Sequence, residues 1–162
     1  RGPLPEETFW PGAPDLAIEV VYASPCQSAE ETAEMIARSL SIKAKTIDKL
    51  KNLDHGLWEG KLIDEVKTKL PRIYRRWQEH PDTVCPPEGE MLGSARQRVQ
   101  GALDRILKKH KTGVIALVVP EPLASLVNSQ LSNKQLGDLW QAECACGSWE
   151  MIEIEPQRML AG

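Results

Sequence analysis

Apolar positions follow two rhythms along this chain. The run AIEVVYA (17–23) is β-branched and nearly continuous in apolar character, as a strand buried on both faces should be. Ser24-Pro25 ends it. Ala29, Ala33, Ile36, Ala37 and Leu40 then recur at helical spacing, with Glu30 and Glu31 near the end where a helix dipole favours acids. IKAKTI (42–47) alternates like a shorter, more exposed strand. Ile63, Val66, Leu70, Ile73 and Trp77 form one stripe that Pro71 interrupts. That stretch reads as two short helices or one kinked helix, with Pro71 opening the second part. CPPEGE (85–90) reads as a loop.

Ala95, Val99, Ala102, Leu103, Ile106 and Leu107 predict an amphipathic helix, with lysines from Lys108 to Lys111 at its negative end. Gly113 restarts the chain into the strand VIALVV. A helix with Leu123, Leu126, Val127 and Leu131 follows Pro122, and a shorter one is expected around 136–140. SWEMIEIE (148–155) reads as a last strand, and residues 1–15, rich in proline and glycine, as irregular. Strands alternating with helices of this length imply an α/β fold, a three-layer αβα sandwich with a mostly parallel central sheet. The 162 residues suit a single domain, 1–162.

Composition narrows the partners more than the fold. Hydrophobic residues make up 41% and charged residues 27%, as in soluble globular proteins, and the net charge of −3 creates no global field for nucleic acid or acidic lipid. Neither a membrane-spanning apolar run nor a signal-peptide pattern is visible, so no membrane partner is expected. Cys26, Cys85, Cys144 and Cys146 are scattered as in a reducing cytoplasm, where we place the protein. Cys144 and Cys146 form C-x-C rather than C-x-x-C, and His55, His80 and His110 stand at no ligand spacing to them. No metal and no cofactor are therefore expected. Lys67, Lys69, Arg72, Arg75 and Arg76 invite a nucleic-acid reading. A solvated helix face accounts for them more simply. Trp10, Trp58 and Trp77 hint at an interaction surface, although core packing is the commoner use of each.

In an open α/β sheet, ligands gather beyond the carboxyl ends of the strands. Ser24-Pro25 and Pro120-Glu121-Pro122 mark two such ends, and LDHGLWEG (53–60) is a third unusual loop, with Gly56 and Gly60 permitting close turns. Glu121 precedes a proline, which favours extended backbone, and Pro122 fits the first helical position. A carboxylate there gains about 0.3–1 kcal/mol from the helix dipole. Ser28 and Asn52 read as loop residues rather than nucleophiles, because no histidine sits in a partner position. Glu121 with Asp54 reads as a helix-terminal carboxylate and a turn aspartate before it reads as an acid–base pair. His55 reads as packed or exposed rather than as a base.

Four motifs together carry a family resemblance. YASPCQSAEETAEMIA (22–37) resembles the Y-S-S-P-L-x-R-A-x-Q-T-A signature of the histidine phosphatase, or phosphoglycerate-mutase-like, family. LKNLDHGLWEG (50–60) is similar to its L-x-E-x-D-x-G-x-W-E-G. PPEGE (86–90) with Arg98 resembles its P-P-G-G-E-S loop and following helix, and VIALVVPEPLASLV (114–127) its V-x-x-V-S-H-G turn. The order holds across roughly residues 17–155 and is far more specific than any single motif. The family's opening R-H-G strand has no counterpart, so more chain is expected before Arg1 or between the recognisable segments.

The resemblance implies a phosphoryl transfer to the R-H-G histidine, with arginines and a second histidine holding the phosphate and a carboxylate supplying a proton. Carried over, the arginine of the second signature falls on Ser28, the proton-donating glutamate on Asn52, the second histidine on Glu121 and its glycine on Pro122. A phosphate dianion about 4 Å from the Glu121 carboxylate would be repelled by roughly 4 kcal/mol at an effective dielectric near 20. The expectation is therefore a pseudo-phosphatase with no catalytic residues, its vestigial pocket formed by Ser24, Ser28, Asn52 and Glu121. It would bind an unidentified protein or small molecule, with a homodimer compatible and no nucleic acid involved. The alternative is a divergent phosphomonoesterase or phosphoglycerate mutase whose nucleophilic histidine lies outside these residues. A weaker third reading is a hydrolase of uncharged substrates with Glu121 as base.

Overall fold

The computed structural model describes residues 17–58, 63–134, 136 and 149–154. They form two compact units. The first takes the described residues up to Lys51, those from Ala102 to Pro120, and those from Glu153 onward. The second takes the described residues between Asn52 and Gly101 and between Glu121 and Ile152.

The first unit is built on a parallel sheet. Strand β1 (Ile18–Ala23) lies between β2 (Lys43–Thr46) and β3 (Val114–Val118), in the order β2-β1-β3. Val20 pairs with Lys43 and Ala23 with Thr46 on one side, and Ala23 pairs with Val118 on the other. Helix α1 (Gln27–Leu40) makes the crossover from β1 to β2, as parallel neighbours require. Val21 and Ala23 on one face of β1 pack with Ala29, Ala33 and Ile36 of α1. The α/β class with a parallel central sheet, read from the sequence, is the class observed. Every residue of β2 is exposed, and its lysines occupy an edge where charge discourages further pairing. Lys109 beside Lys45 holds that ammonium below the usual lysine range, first through a side-chain hydrogen bond and then through repulsion, with desolvation and Lys43 adding to it.

Register between β1 and β3 shifts between Ile18 and Val21. Tyr22 meets the ring of His110 edge-on, its hydroxyl 2.6 Å from Nε2, and Nδ1 of the same ring lies 3.9 Å from Glu19 Oε2. At the carboxyl end of β1 the pairing continues one step further, with Ser24 N donating to Val118 O at 3.0 Å and Ile47 N to Ala23 O at 2.9 Å. Ser24 is fully buried, and its hydroxyl donates to Leu50 O at 2.6 Å. Ser24→Ala should therefore lower stability by about 1–3 kcal/mol, the cost of stranding a buried carbonyl. Urea unfolding would read the loss, and an unchanged midpoint would mean that water replaces the hydroxyl.

In the second unit the interrupted stripe resolves into two helices, α2 (Ile63–Lys69) and α3 (Pro71–Glu79), with Leu70 as the cap and Pro71 opening α3. Helix α4 (Leu92–Lys109) gives its first turns to this unit and, from Ala102, its remainder to the first. Helix α5 (Leu123–Ser132) starts one residue later than the sequence suggests, Pro122 standing outside it as the cap. Val66, Trp77, Val84, Leu92, Ala95, Val99, Leu123 and Leu126 are buried here. Gln130 of α5 reaches the start of α4, donating to Arg96 O at 3.1 Å and Gln100 Oε1 at 3.0 Å.

The last strand read from the sequence is corrected. Residues 149–154 are not a strand, and no described strand pairs with them. Alternating side chains favour a strand only where a neighbouring edge takes up the backbone hydrogen bonds. The short helix expected at 136–140, the irregular segment 1–15 and the Cys144–Cys146 pair lie essentially outside the described residues. Among the described residues, no helix is long and apolar enough to cross a membrane.

Candidate functional site

The four residues singled out from the sequence separate by unit. Ser24 and Ser28 belong to the first, Asn52 and Glu121 to the second. Ser24 spends its hydroxyl on the Leu50 carbonyl, which makes it a brace. Ser28 is exposed in the first turn of α1, its hydroxyl 3.7 Å from the Cys26 thiol.

Asn52 and Glu121, far apart in sequence, meet directly. The Asn52 side chain donates through Nδ2 to Glu121 O at 3.2 Å, while its Oδ1 accepts from Leu53 N at 2.9 Å and Leu123 N at 3.3 Å. One amide therefore pins the entry to α5, satisfying a backbone donor that a helix start leaves without a partner. Glu121 precedes a cis peptide bond to Pro122. Its Oε2 accepts from Ser125 N at 3.1 Å and from Ser125 Oγ at 2.9 Å. The carboxylate thus caps the first turn of α5, as expected for an acid at the positive end of a helix. Oε1 accepts no hydrogen bond from the described residues. Ser125 is absent from the residues that the sequence singles out. A serine four residues beyond a glutamate is the signal that could have found it.

The loop around Gly56 closes against the 86–90 loop. Leu57 N donates to Pro87 O and Glu90 N to Asp54 O, both at 2.9 Å. Asp54 Oδ1 accepts from Gly56 N at 2.8 Å, an Asx turn, so Asp54 is a turn residue. Arg98 Nη2 meets Glu90 Oε1 at 2.6 Å with both side chains largely buried, and the same oxygen accepts from Asp54 N. The cation that the sequence places behind this loop is therefore committed to an ion pair. His55 is buried edge-on against Trp77, which makes it a packed residue. Trp77 itself is in the core, whereas Trp10 and the side chain of Trp58 lie outside the described residues. Among the described residues, no group of three His, Cys, Asp or Glu side chains could hold a metal ion.

The chain has recognisable relatives. A family model described as the histidine phosphatase superfamily, branch 1, matches residues 8–161. Phosphoserine phosphatase 1 of Hydrogenobacter thermophilus is 31% identical over 141 residues, which cover 87% of this chain and 67% of that protein. Among solved structures, Bacillus stearothermophilus YhfR is similar with a TM-score of 0.66 and 24% identity, covering 78% of this chain and 62% of that one. The mycobacterial glucosyl-3-phosphoglycerate phosphatase Rv2419c has a TM-score of 0.64 at 15% identity, covering 78% and 63%. At such identities the structural likeness speaks for the fold. The chain thus spans about two thirds of the length of these three proteins.

These findings correct the expectation of a non-catalytic pseudo-phosphatase. A relative similar along most of the chain is named a phosphatase. The expectation counts Ser28, Asn52 and Glu121 as losses and gives Glu121 a full, unshared charge. In the structure that carboxylate is held by two donors of Ser125, so its charge is shared.

Proposed function

The chain belongs to the histidine phosphatase superfamily, and on that premise we propose that it is part of an active, divergent phosphomonoesterase. Its nucleophilic histidine is supplied by sequence outside these 162 residues. The observation that carries this reading is the 31% identity, along 87% of the chain, with a protein named a phosphoserine phosphatase. A small alkyl phosphate of the phosphoserine type is accordingly the substrate class. The match over residues 8–161 supports taking 1–162 as one domain of this family.

The open edge of the sheet is compatible with such an addition. Among the described residues β3 pairs only with β1, and all five of its apolar residues are only half-buried. A strand added on that edge would cover them. The resemblance places the R-H-G strand at the sheet centre, and in our reading it adds there and brings the nucleophile with it.

Proton transfer then falls to Glu121. An amide cannot give up a proton at neutral pH, and both polar atoms of Asn52 are already engaged. Glu121 sits beside it with one oxygen anchored and the other turned to no described donor. We assign to its carboxyl group the protonation of the leaving alkoxide. Free thiols at Cys26 and Cys85 support a cytoplasmic location.

Steady-state phosphate release from O-phosphoserine by the full-length protein tests this reading, together with rapid-quench capture of an acid-labile, base-stable phosphoenzyme. Both should be observed. A folded full-length protein that releases no phosphate from O-phosphoserine or p-nitrophenyl phosphate would end the proposal.

A further inference from the structure

Helix α3 carries three guanidinium groups that find no counter-charge among the described residues. Arg72, Arg75 and Arg76 follow the i, i+3, i+4 spacing, so they share one face within about 6 Å of helix rise. All three are exposed, while Trp77 is buried on the other side of the helix. None of them forms an ion pair with a described residue, and Glu79, one turn beyond Arg75, does not pair with it either.

The position of the stripe makes it costly to the helix. The first turn of α3 contains no acid. Arg72 there faces the positive end of the helix dipole, and its repulsion from Arg75 and Arg76 acts at the two spacings where side chains meet. Lys67 and Lys69 differ, because they occupy the last turn of α2, where the dipole welcomes a cation. Helix physics explains the lysines and Arg76, which lies in the last turn of α3, and leaves Arg72 and Arg75 unexplained.

An external anion removes the penalty. Guanidinium forks take carboxylates or phosphates in bidentate fashion. Two features select the carboxylates of a short peptide. The chain as a whole carries a net charge of −3, so a long polyanion running past the stripe would enter an unfavourable field, whereas a segment of the stripe's own length would not. Ile73 is 37% exposed and borders the arginines on the helix surface, an apolar contact that a peptide side chain can use and a phosphate backbone cannot. We propose that Arg72, Arg75, Arg76 and Ile73 dock a short acidic peptide segment of a partner protein, one that carries an apolar residue beside its carboxylates.

Fluorescence anisotropy with the full-length protein tests this, using a labelled peptide of alternating glutamate and leucine. A single-stranded oligonucleotide of equal charge and phosphatidylserine vesicles serve as comparators. The peptide should bind more tightly than either, and R72Q/R75Q/R76Q should weaken it about tenfold or more. The same variant should keep or raise its thermal midpoint, because repulsion is relieved. Ile73→Ser should weaken the peptide without changing the salt dependence. Wild-type affinity in the triple variant, or tighter binding of the oligonucleotide or the vesicles, would overturn the assignment.

Discussion

Glu121→Gln should cut kcat for O-phosphoserine by about 10²–10⁴-fold, the usual yield of a positioned general acid. The same change should cost far less with p-nitrophenyl phosphate, whose phenolate departs without a proton. Glutamine keeps an acceptor for Ser125 N and Oγ, so the cap on α5 survives and the effect is chemical rather than structural. KM for both substrates should move little, since the interaction is made in the transition state. Equal losses with the two leaving groups would assign Glu121 to binding or folding instead. No loss with either would remove it from the reaction and give the proton transfer to another group.

The second large effect is on stability. Gly56→Ala should destabilise the fold by about 2–6 kcal/mol, adding backbone strain to overpacking. Gly56 has a φ of +54°, and a Cβ built there lies 2.1 Å from Pro87 O, 2.4 Å from Gly89 N and 2.6 Å from Glu88 C. All three are backbone atoms, so no rotamer change can relieve the clash. Relief requires parting the loops that Leu57 N–Pro87 O and Glu90 N–Asp54 O hold together. Gly101→Ala is the control: nothing lies within 4 Å of its Cβ, and in the interior of α4 alanine should stabilise by about 1 kcal/mol. Urea denaturation of the two variants should therefore move in opposite directions. A Gly56→Ala midpoint close to that of the unsubstituted protein would mean that the two loops do not pack as described.

Part of the site is legible in the sequence. The composition of the 53–60 loop marks Gly56 as a close turn, and the positive φ there agrees. The motif order places Arg98 behind the 86–90 loop, and its ion pair with Glu90 gives that placement a reason. Glu121 reads as a carboxylate at a helix start, which is where it stands. Its partner Ser125 is not legible, and neither is the grip of Asn52 on the residues either side of Pro122. The expectation of a pseudo-phosphatase fails for a related reason. Comparing positions one at a time treats each substitution as a deletion, whereas a carboxylate can bind as an anion in one setting and donate a proton in another.

The sequence by itself determined the main helices and strands between Ile18 and Ser132, their order and the two breaks at Pro71 and Pro122. Those features are written in the spacing of apolar side chains and in the restricted backbone of proline, which act over a few residues. The tertiary structure alone decided which distant groups share a hydrogen bond: Ser24 with Leu50, Asn52 with Glu121 and Leu123, and Glu90 with Arg98. It also decided that residues 149–154 do not extend as a strand. A hydrogen bond between residues far apart in the chain leaves no periodic trace, because it depends on where folding brings two loops and not on what either loop contains.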